Sequence, residues 1–123
     1  MEEAKPKRVL LVDDDLDVLR NLRRMLERSG FDAKVALTAD QALGFMDSEA
    51  FDAVVVDFNM QGPNGAWLLR EVRKRHPRTA RLLLSGSTYT ELVGHLEPGL
   101  VDAFLGKPLG MEELKAGIDG AVN

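Results

Sequence analysis

RVLLVDDDLDVLRNLRRMLERSG, residues 8–30, joins an aliphatic run to three consecutive acids and then to a helical period. Arg8–Val12 reads as a buried strand, because short continuous runs of Val and Leu suit a sheet covered on both faces. Beyond Asp13, Asp14 and Asp15, the side chains of Val18, Leu22, Met25 and Leu26 fall on one side of a helix, and Ser29-Gly30 stops it. Arg20, Arg23, Arg24 and Arg28 recur at helical spacing and read most simply as its solvated face.

The same β-α unit recurs five times along the chain. Strands are predicted at Arg8–Val12, Ala33–Ala36, Ala53–Asp57, Arg81–Ser85 and Ala103–Gly106. The second helix, Ala39–Ser48, turns Ala42, Leu43 and Met46 inward, with Asp40 capping or charging its first turn. The third follows Asn64 as N-cap, buries Leu68, Leu69 and Val72, and ends at His76-Pro77. A short fourth helix is predicted near Thr88–Leu96, where Gly94 weakens it, and a fifth at Met111–Val122, with Leu114, Ile118 and Val122 four apart and Gly117 and Gly120 working against it. Strands alternating with helices pair in parallel through right-handed crossovers, so helices must cover both faces of the sheet. The fold class is therefore α/β, a doubly wound five-stranded parallel sheet with five helices.

The 123 residues suit one domain, with Met1–Lys7 as a flexible leader and residues 8–123 as the folded unit. With 45% hydrophobic and 29% charged residues the composition is that of a soluble globular protein, and the net charge of −4 with no long basic block argues against direct nucleic-acid binding. The absence of cysteine excludes disulfides and thiolate metal sites. No apolar run is long enough to span a bilayer and no signal-peptide core is visible, so a cytoplasmic location and no membrane partner are expected.

Three predicted strands end in charge: the first at Asp13, Asp14 and Asp15, the third at Asp57, the fifth at Gly106 and Lys107. In a parallel sheet these groups converge at the carboxyl edge, where open α/β folds place their ligands. Helix capping accounts for one acid of Asp13–Asp15 but not for Asp57 or Lys107. A carboxylate cluster with one lysine points to metal-assisted phosphoryl chemistry, since a hard divalent ion takes oxygen ligands and commonly binds through one or two carboxylates plus phosphate.

Val12-Asp13-Asp14-Asp15, Asp57-Phe58-Asn59-Met60, Asn64-Gly65, Leu84-Ser85-Gly86 and Phe104-Leu105-Gly106-Lys107-Pro108 together resemble the receiver domain of bacterial two-component response regulators, of the chemotaxis-regulator type. The resemblance runs from about Arg8 onward. It implies a flavodoxin-like strand order of 2-1-3-4-5 and Asp57 as phosphoacceptor, modified from the phosphohistidine of a histidine kinase or phosphotransfer protein. It further implies Mg²⁺, with Mn²⁺ as a substitute. Asp14, Asp57 and the Asn59 carbonyl would be direct ligands, and Asp13 would act mainly through a bound water.

By the same resemblance Lys107 and Ser85 would bind the phosphoryl group, Gly86 would leave room for that approach, and Phe104 would be the aromatic of the switch. The side chains of Asn59 and Ser87 occupy the positions that modulate phosphoryl lifetime, and the Lys107-Pro108 peptide is expected to be cis. Gln61 departs from the family pattern, in which proline is commonest. Output would pass to an effector domain or protein, or through a homodimer formed by the fourth helix, fifth strand and fifth helix. Such a domain is no enzyme beyond its own phosphorylation and dephosphorylation. A haloacid-dehalogenase-like phosphatase would need an acid where Asn59 stands, and a flavodoxin-like redox protein a hydroxyl- and Gly-rich loop where Asp13–Asp15 stand. The remaining alternative is a non-phosphorylated pseudo-receiver acting as an interaction module, whose usual sign, a lost acid, hydroxyl or lysine, is missing here.

Overall fold

The structure, a computed structural model, describes residues 5–58, 60, 65–86 and 96–122. In chain order these form β1 (Arg8–Val12), α1 (Leu16–Arg28), β2 (Asp32–Ala36), α2 (Ala39–Ser48), β3 (Ala53–Asp57), α3 (Gly65–Arg75), β4 (Ala80–Ser85), β5 (Ala103–Gly106) and α4 (Met111–Val122). All five strands pair in parallel in the order β2-β1-β3-β4-β5. Two strands start one residue earlier than predicted, at Asp32 and Ala80. Four helices are described rather than five. Of the predicted fourth helix, Thr88–Leu96, all but Leu96 lies outside the described set, as do Asn59, Gln61, Asn64 and Ser87.

Strand side chains alternate between faces, and each face has its own core. Leu10, Val12, Val54, Val56 and Leu83 pack under α2 and α3 with Leu43, Met46, Leu68, Leu69 and Val72. Val9, Leu11, Val55, Leu82 and Leu84 pack under α1 and α4 with Leu19, Leu22, Leu26, Leu114 and Ile118. The buried line of α1 is thus Leu19, Leu22 and Leu26, with Val18 and Met25 partly buried beside it. That corrects the predicted stripe, in which Leu19 was missing; a central apolar line with partly covered flanks is what a helix lying on a sheet presents.

Helix ends are set by local chemistry. Asp15 caps α1, its Oδ1 accepting from the N–H groups of Asp17 at 3.0 Å and Val18 at 3.4 Å. At the other end Gly30 adopts φ 89°, while Phe31 N–H donates to Leu26 O at 2.9 Å and Gly30 N–H to Glu27 O at 3.2 Å, the paired bonds of a Schellman stop. Thr38, not Asp40, caps α2: its hydroxyl accepts from Gln41 N–H at 3.0 Å, and the Gln41 side chain accepts from Leu37 N–H at 2.8 Å. Asp40 contributes only its charge to the first turn.

Gly117 of α4 has a packing role that its helix propensity hides. A Cβ there would stand 2.7 Å from Leu105 Cδ2, so the missing side chain lets α4 settle onto β5. Lys7, at the end of the expected leader, pairs with Asp119 of the same helix at 3.0 Å.

Candidate functional site

Strand register brings the predicted site residues to one level. Val12 lies beside Val56, Asp57 beside Leu84, and Ser85 beside Gly106, so Asp13, Asp57, Ser85 and Lys107 gather at the carboxyl ends of four neighbouring segments. Three backbone bonds fix the edge beyond the ladders: Asp13 N–H to Ala36 O at 3.2 Å, Phe58 N–H to Leu84 O at 2.9 Å, and Lys107 N–H to Ser85 O at 3.0 Å. The Lys107-Pro108 peptide is cis.

Asp57 is 4% exposed, and its Oδ1 accepts from the Lys107 ammonium at 3.0 Å. Asp13, Asp14 and Asp57 each offer a carboxylate oxygen within 4.8 Å of the others, Asp13 and Asp57 buried and Asp14 exposed. The Asp13 Oδ1 accepts from Asp15 N–H at 3.0 Å, whereas its Oδ2 is buried with no hydrogen-bond partner among the described residues. Burial pushes the Asp13 carboxyl up to about 6, and the negative charges of Asp57 and Asp14 add to the rise, while the Asp15 N–H and the Lys107 ammonium oppose it.

Those observations test the fit to a hard cation. Three clustered carboxylates, one of them with a buried oxygen that has no hydrogen-bond partner among the described residues, form an all-oxygen set suited to a divalent ion. The residues fit. The three consecutive acids also divide their labour: Asp15 serves α1 as its cap, and Asp13 and Asp14 face the cluster with Asp57.

Ser85 ends β4 and is 2% exposed; Phe104 is partly buried against the α2–α3 core. Asn59 and Ser87 lie outside the described residues, so the structure does not bear on the carbonyl ligand or the lifetime positions. A Cβ at Gly86 or Gly106 would meet nothing within 4 Å. The glycine that the site does require is Gly65, where a Cβ would stand 2.6 Å from the Asp57 carbonyl oxygen and 3.1 Å from Phe58 Cα. The start of α3 thus rests directly on the backbone of the site, a contact eight residues along the chain that residue types alone do not reveal.

A family model for the response regulator receiver domain matches residues 9–119. The chain belongs to this family. The receiver domain is similar to the response regulator MprA of Mycolicibacterium vanbaalenii, with 36% identity over 112 residues covering 90% of this chain and 48% of MprA. It is also similar to the transcriptional regulatory protein CpxR of Escherichia coli, with 34% identity over 111 residues covering 90% of this chain and 47% of CpxR. The chain spans about half the length of the curated relatives it matches. Among solved structures it resembles the CheY-like response regulator receiver domain protein of Methanospirillum hungatei, at a TM-score of 0.87 and 26% identity, covering 95% of this chain and 94% of the other. The flavodoxin-like order expected of the receiver domain is the order observed. Among its described residues no helix is long and apolar enough to cross a membrane.

Proposed function

We propose that Asp57 is the phosphoacceptor of this receiver domain and that Asp13, Asp14 and Asp57, with the Asn59 carbonyl, hold Mg²⁺ or Mn²⁺. The observation that carries this reading is the buried Asp57 carboxylate, 3.0 Å from Lys107 and clustered with two further acids, one of which keeps an unpartnered buried oxygen. A pseudo-receiver is disfavoured because the acids, Ser85 and Lys107 are all present and brought to one edge.

A carboxylate oxygen of Asp57 would bond to phosphorus as the bond from phosphorus to the phosphohistidine nitrogen breaks, the electron pair leaving with the imidazole. When bound, the metal supplies the positive charge that lets one anion approach another. Lys107 already neutralises Asp57 and would exchange that contact for the incoming phosphoryl oxygens, a task suited to a compact ammonium on a flexible stem. Ser85, one residue beyond the level of Asp57, would donate its hydroxyl to the modified side chain, with Phe104 repacking behind it. Asn59 and Ser87 would set how readily water reaches the acyl phosphate. The domain acts as no enzyme beyond its own phosphorylation and dephosphorylation.

The phosphoryl donor would be a histidine kinase or phosphotransfer protein, and the output an effector domain or protein or a homodimer through residues 88–96, β5 and α4. The net charge of −4 supports the view that the domain itself binds no nucleic acid, and the absence of cysteine is compatible with the cytoplasm. Incubation with acetyl phosphate and Mg²⁺, followed by intact-mass measurement, tests the reading. One hydroxylamine-labile phosphoryl group on the parent domain and none on Asp57→Asn is the expected result. Labelling that survives in Asp57→Asn would remove Asp57 from the chemistry.

A further inference from the structure

The stretch that leads into β5 is held at two levels. Its later part is anchored from inside: Leu100 is fully buried, and the buried Arg81 donates to the carbonyls of Leu100 at 2.8 Å and Gly99 at 3.2 Å. Asp102 binds the Arg81 backbone twice, its Oδ2 accepting from the N–H and its own N–H donating to the carbonyl, both at 2.7 Å. The earlier part is anchored from outside. Glu97 accepts from Arg70 at 2.9 and 3.1 Å and from Arg73 at 3.2 Å, and all three side chains reach solvent. Glu97-Pro98-Gly99-Leu100 joins the two levels as a type II turn, with φ 81° at Gly99 and Leu100 N–H donating to Glu97 O at 3.3 Å. Because this turn is rigid and fixed at its far end, Glu97 is the residue through which α3 sets the course of the chain before it.

The ion pairs lie where a change at Asp57 has to pass. Gly65, at the start of α3, lies against the Asp57 carbonyl, so α3 is seated on the site itself. Leu96, Val101 and Phe104 are partly buried against one core, the one under α2 and α3. Repacking of Phe104, once Ser85 is drawn to a modified Asp57, changes the room left for Leu96 in that core. Leu96 cannot shift without its neighbour Glu97, and two arginines on a seated helix oppose the shift.

We propose that Arg70, Arg73 and Glu97 form a latch that favours the unmodified conformation of the domain, its ion pairs made while Glu97 sits against α3 and broken when the chain before β5 moves. The inference rests on Asp57 being the phosphoacceptor. Arginine suits the task because its planar fork engages one carboxylate through two hydrogen bonds and fixes its direction as well as its charge. Contacts present in only one of two states bias the equilibrium by their own free energy, so removing them raises the affinity for any ligand that selects the other state.

The test is a titration of the isotope-labelled domain, in saturating Mg²⁺, with the phosphoryl mimic beryllofluoride, followed through the amide shifts of Ser85 and Phe104. Glu97→Gln and Arg70→Gln/Arg73→Gln should each bind the mimic about threefold or more tighter than the parent, and all three substitutions together no tighter than either set, because one latch opens only once. The two variants change the net charge in opposite directions, so a general electrostatic effect on an anionic ligand would tighten one and weaken the other. Lys74→Gln, which breaks the exposed pair with Glu71 at 3.5 Å on the same helix, should bind like the parent. Unchanged or weaker binding in either variant, additive gains on combining them, or an equal gain in Lys74→Gln would overturn the latch and leave Asp57 as the acceptor. A parent domain with no Mg²⁺-dependent response to beryllofluoride would overturn the phosphoacceptor reading, and the latch with it.

Discussion

Gly65 shows how much of the site depends on what is absent. Alanine there gains about 1 kcal/mol of intrinsic helix propensity over glycine. Its Cβ would nevertheless meet the Asp57 carbonyl oxygen at 2.6 Å, a backbone atom that no rotamer change can move aside. Overpacking of this kind costs about 1–3 kcal/mol, so Gly65→Ala should lower unfolding stability by roughly 1 kcal/mol in urea titration and slow labelling by acetyl phosphate as the end of β3 shifts. Gly86→Ala, whose Cβ meets nothing within 4 Å, should label like the parent. At this scale the reactive residues were legible in the sequence because each is a charge ending an apolar run: Asp13, Asp57 and Lys107 needed only the parallel sheet to bring them together. Gly65 was not, because its necessity arises from the approach of α3 to β3, which no local pattern encodes. Nor was it legible that Asp15 would take the cap, since three adjacent acids are equivalent until the helix chooses its first residue.

Whether a glycine helps or harms a helix is decided by what the helix touches. Gly44 lies exposed within α2 with nothing within 4 Å of a Cβ, so Gly44→Ala should raise stability by about 0.5–1 kcal/mol. Gly117→Ala in α4 should gain the same propensity but drive a Cβ to 2.7 Å from Leu105 Cδ2, and the packing loss should win by roughly 1 kcal/mol. Chemical denaturation of the two variants should therefore give changes of opposite sign; equal gains would mean that Leu105 yields freely. Sequence periodicity located α2 and α4 to the residue, yet it counted Gly117 only as a weak helix former and passed over Gly44. It also missed how the stretch before β5 is anchored. Arg70 donates to Glu97 at 2.9 and 3.1 Å and Arg73 at 3.2 Å, while Arg81, 8% exposed, binds the carbonyls of Leu100 and Gly99. The hydrogen bonds from Arg70 above all, with the Glu97 backbone N–H and the Arg73 charge, hold the Glu97 carboxyl down to about 2. A carboxyl depressed in the folded state contributes stability above its unfolded value near 4.5, and that contribution is lost as pH falls toward 2. Glu97→Gln should accordingly be less stable than the parent at pH 6, and the gap between their urea midpoints should close progressively between about pH 4.5 and pH 2. A gap independent of pH would assign the effect to shape rather than charge.

For the molecule as a whole, the carboxyl edge of the sheet trades stability for chemistry. Two hydrophobic cores hold the strand ends in place, and at those ends the carboxylates of Asp13, Asp14 and Asp57 cluster, with Lys107 on Asp57. The strain concentrates on Asp13, whose Oδ2 is buried without a donor and whose charge opposes those of Asp57 and Asp14. Asp13→Asn keeps the oxygen that accepts from Asp15 N–H, removes one negative charge, and puts an amide donor where the orphaned oxygen stood. Without metal it should therefore melt above the parent, by an amount equivalent to roughly 1–3 kcal/mol, the range for an unsatisfied buried polar group. Mg²⁺ should relieve the same strain in the parent by supplying the missing positive charge. A site filled at tenfold excess over Kd adds RT ln(1 + 10), about 1.4 kcal/mol, which for a domain of this size corresponds to a rise in Tm of roughly 4–8 °C. The two routes are alternatives, so the substituted domain should start higher and respond little. Scanning calorimetry of both proteins, with Mg²⁺ and with NaCl at matched ionic strength, separates a bound ion from general screening. Identical responses of the parent to the two salts would remove the metal site, and a full Mg²⁺ increment in Asp13→Asn would leave Asp14 and Asp57 sufficient without Asp13.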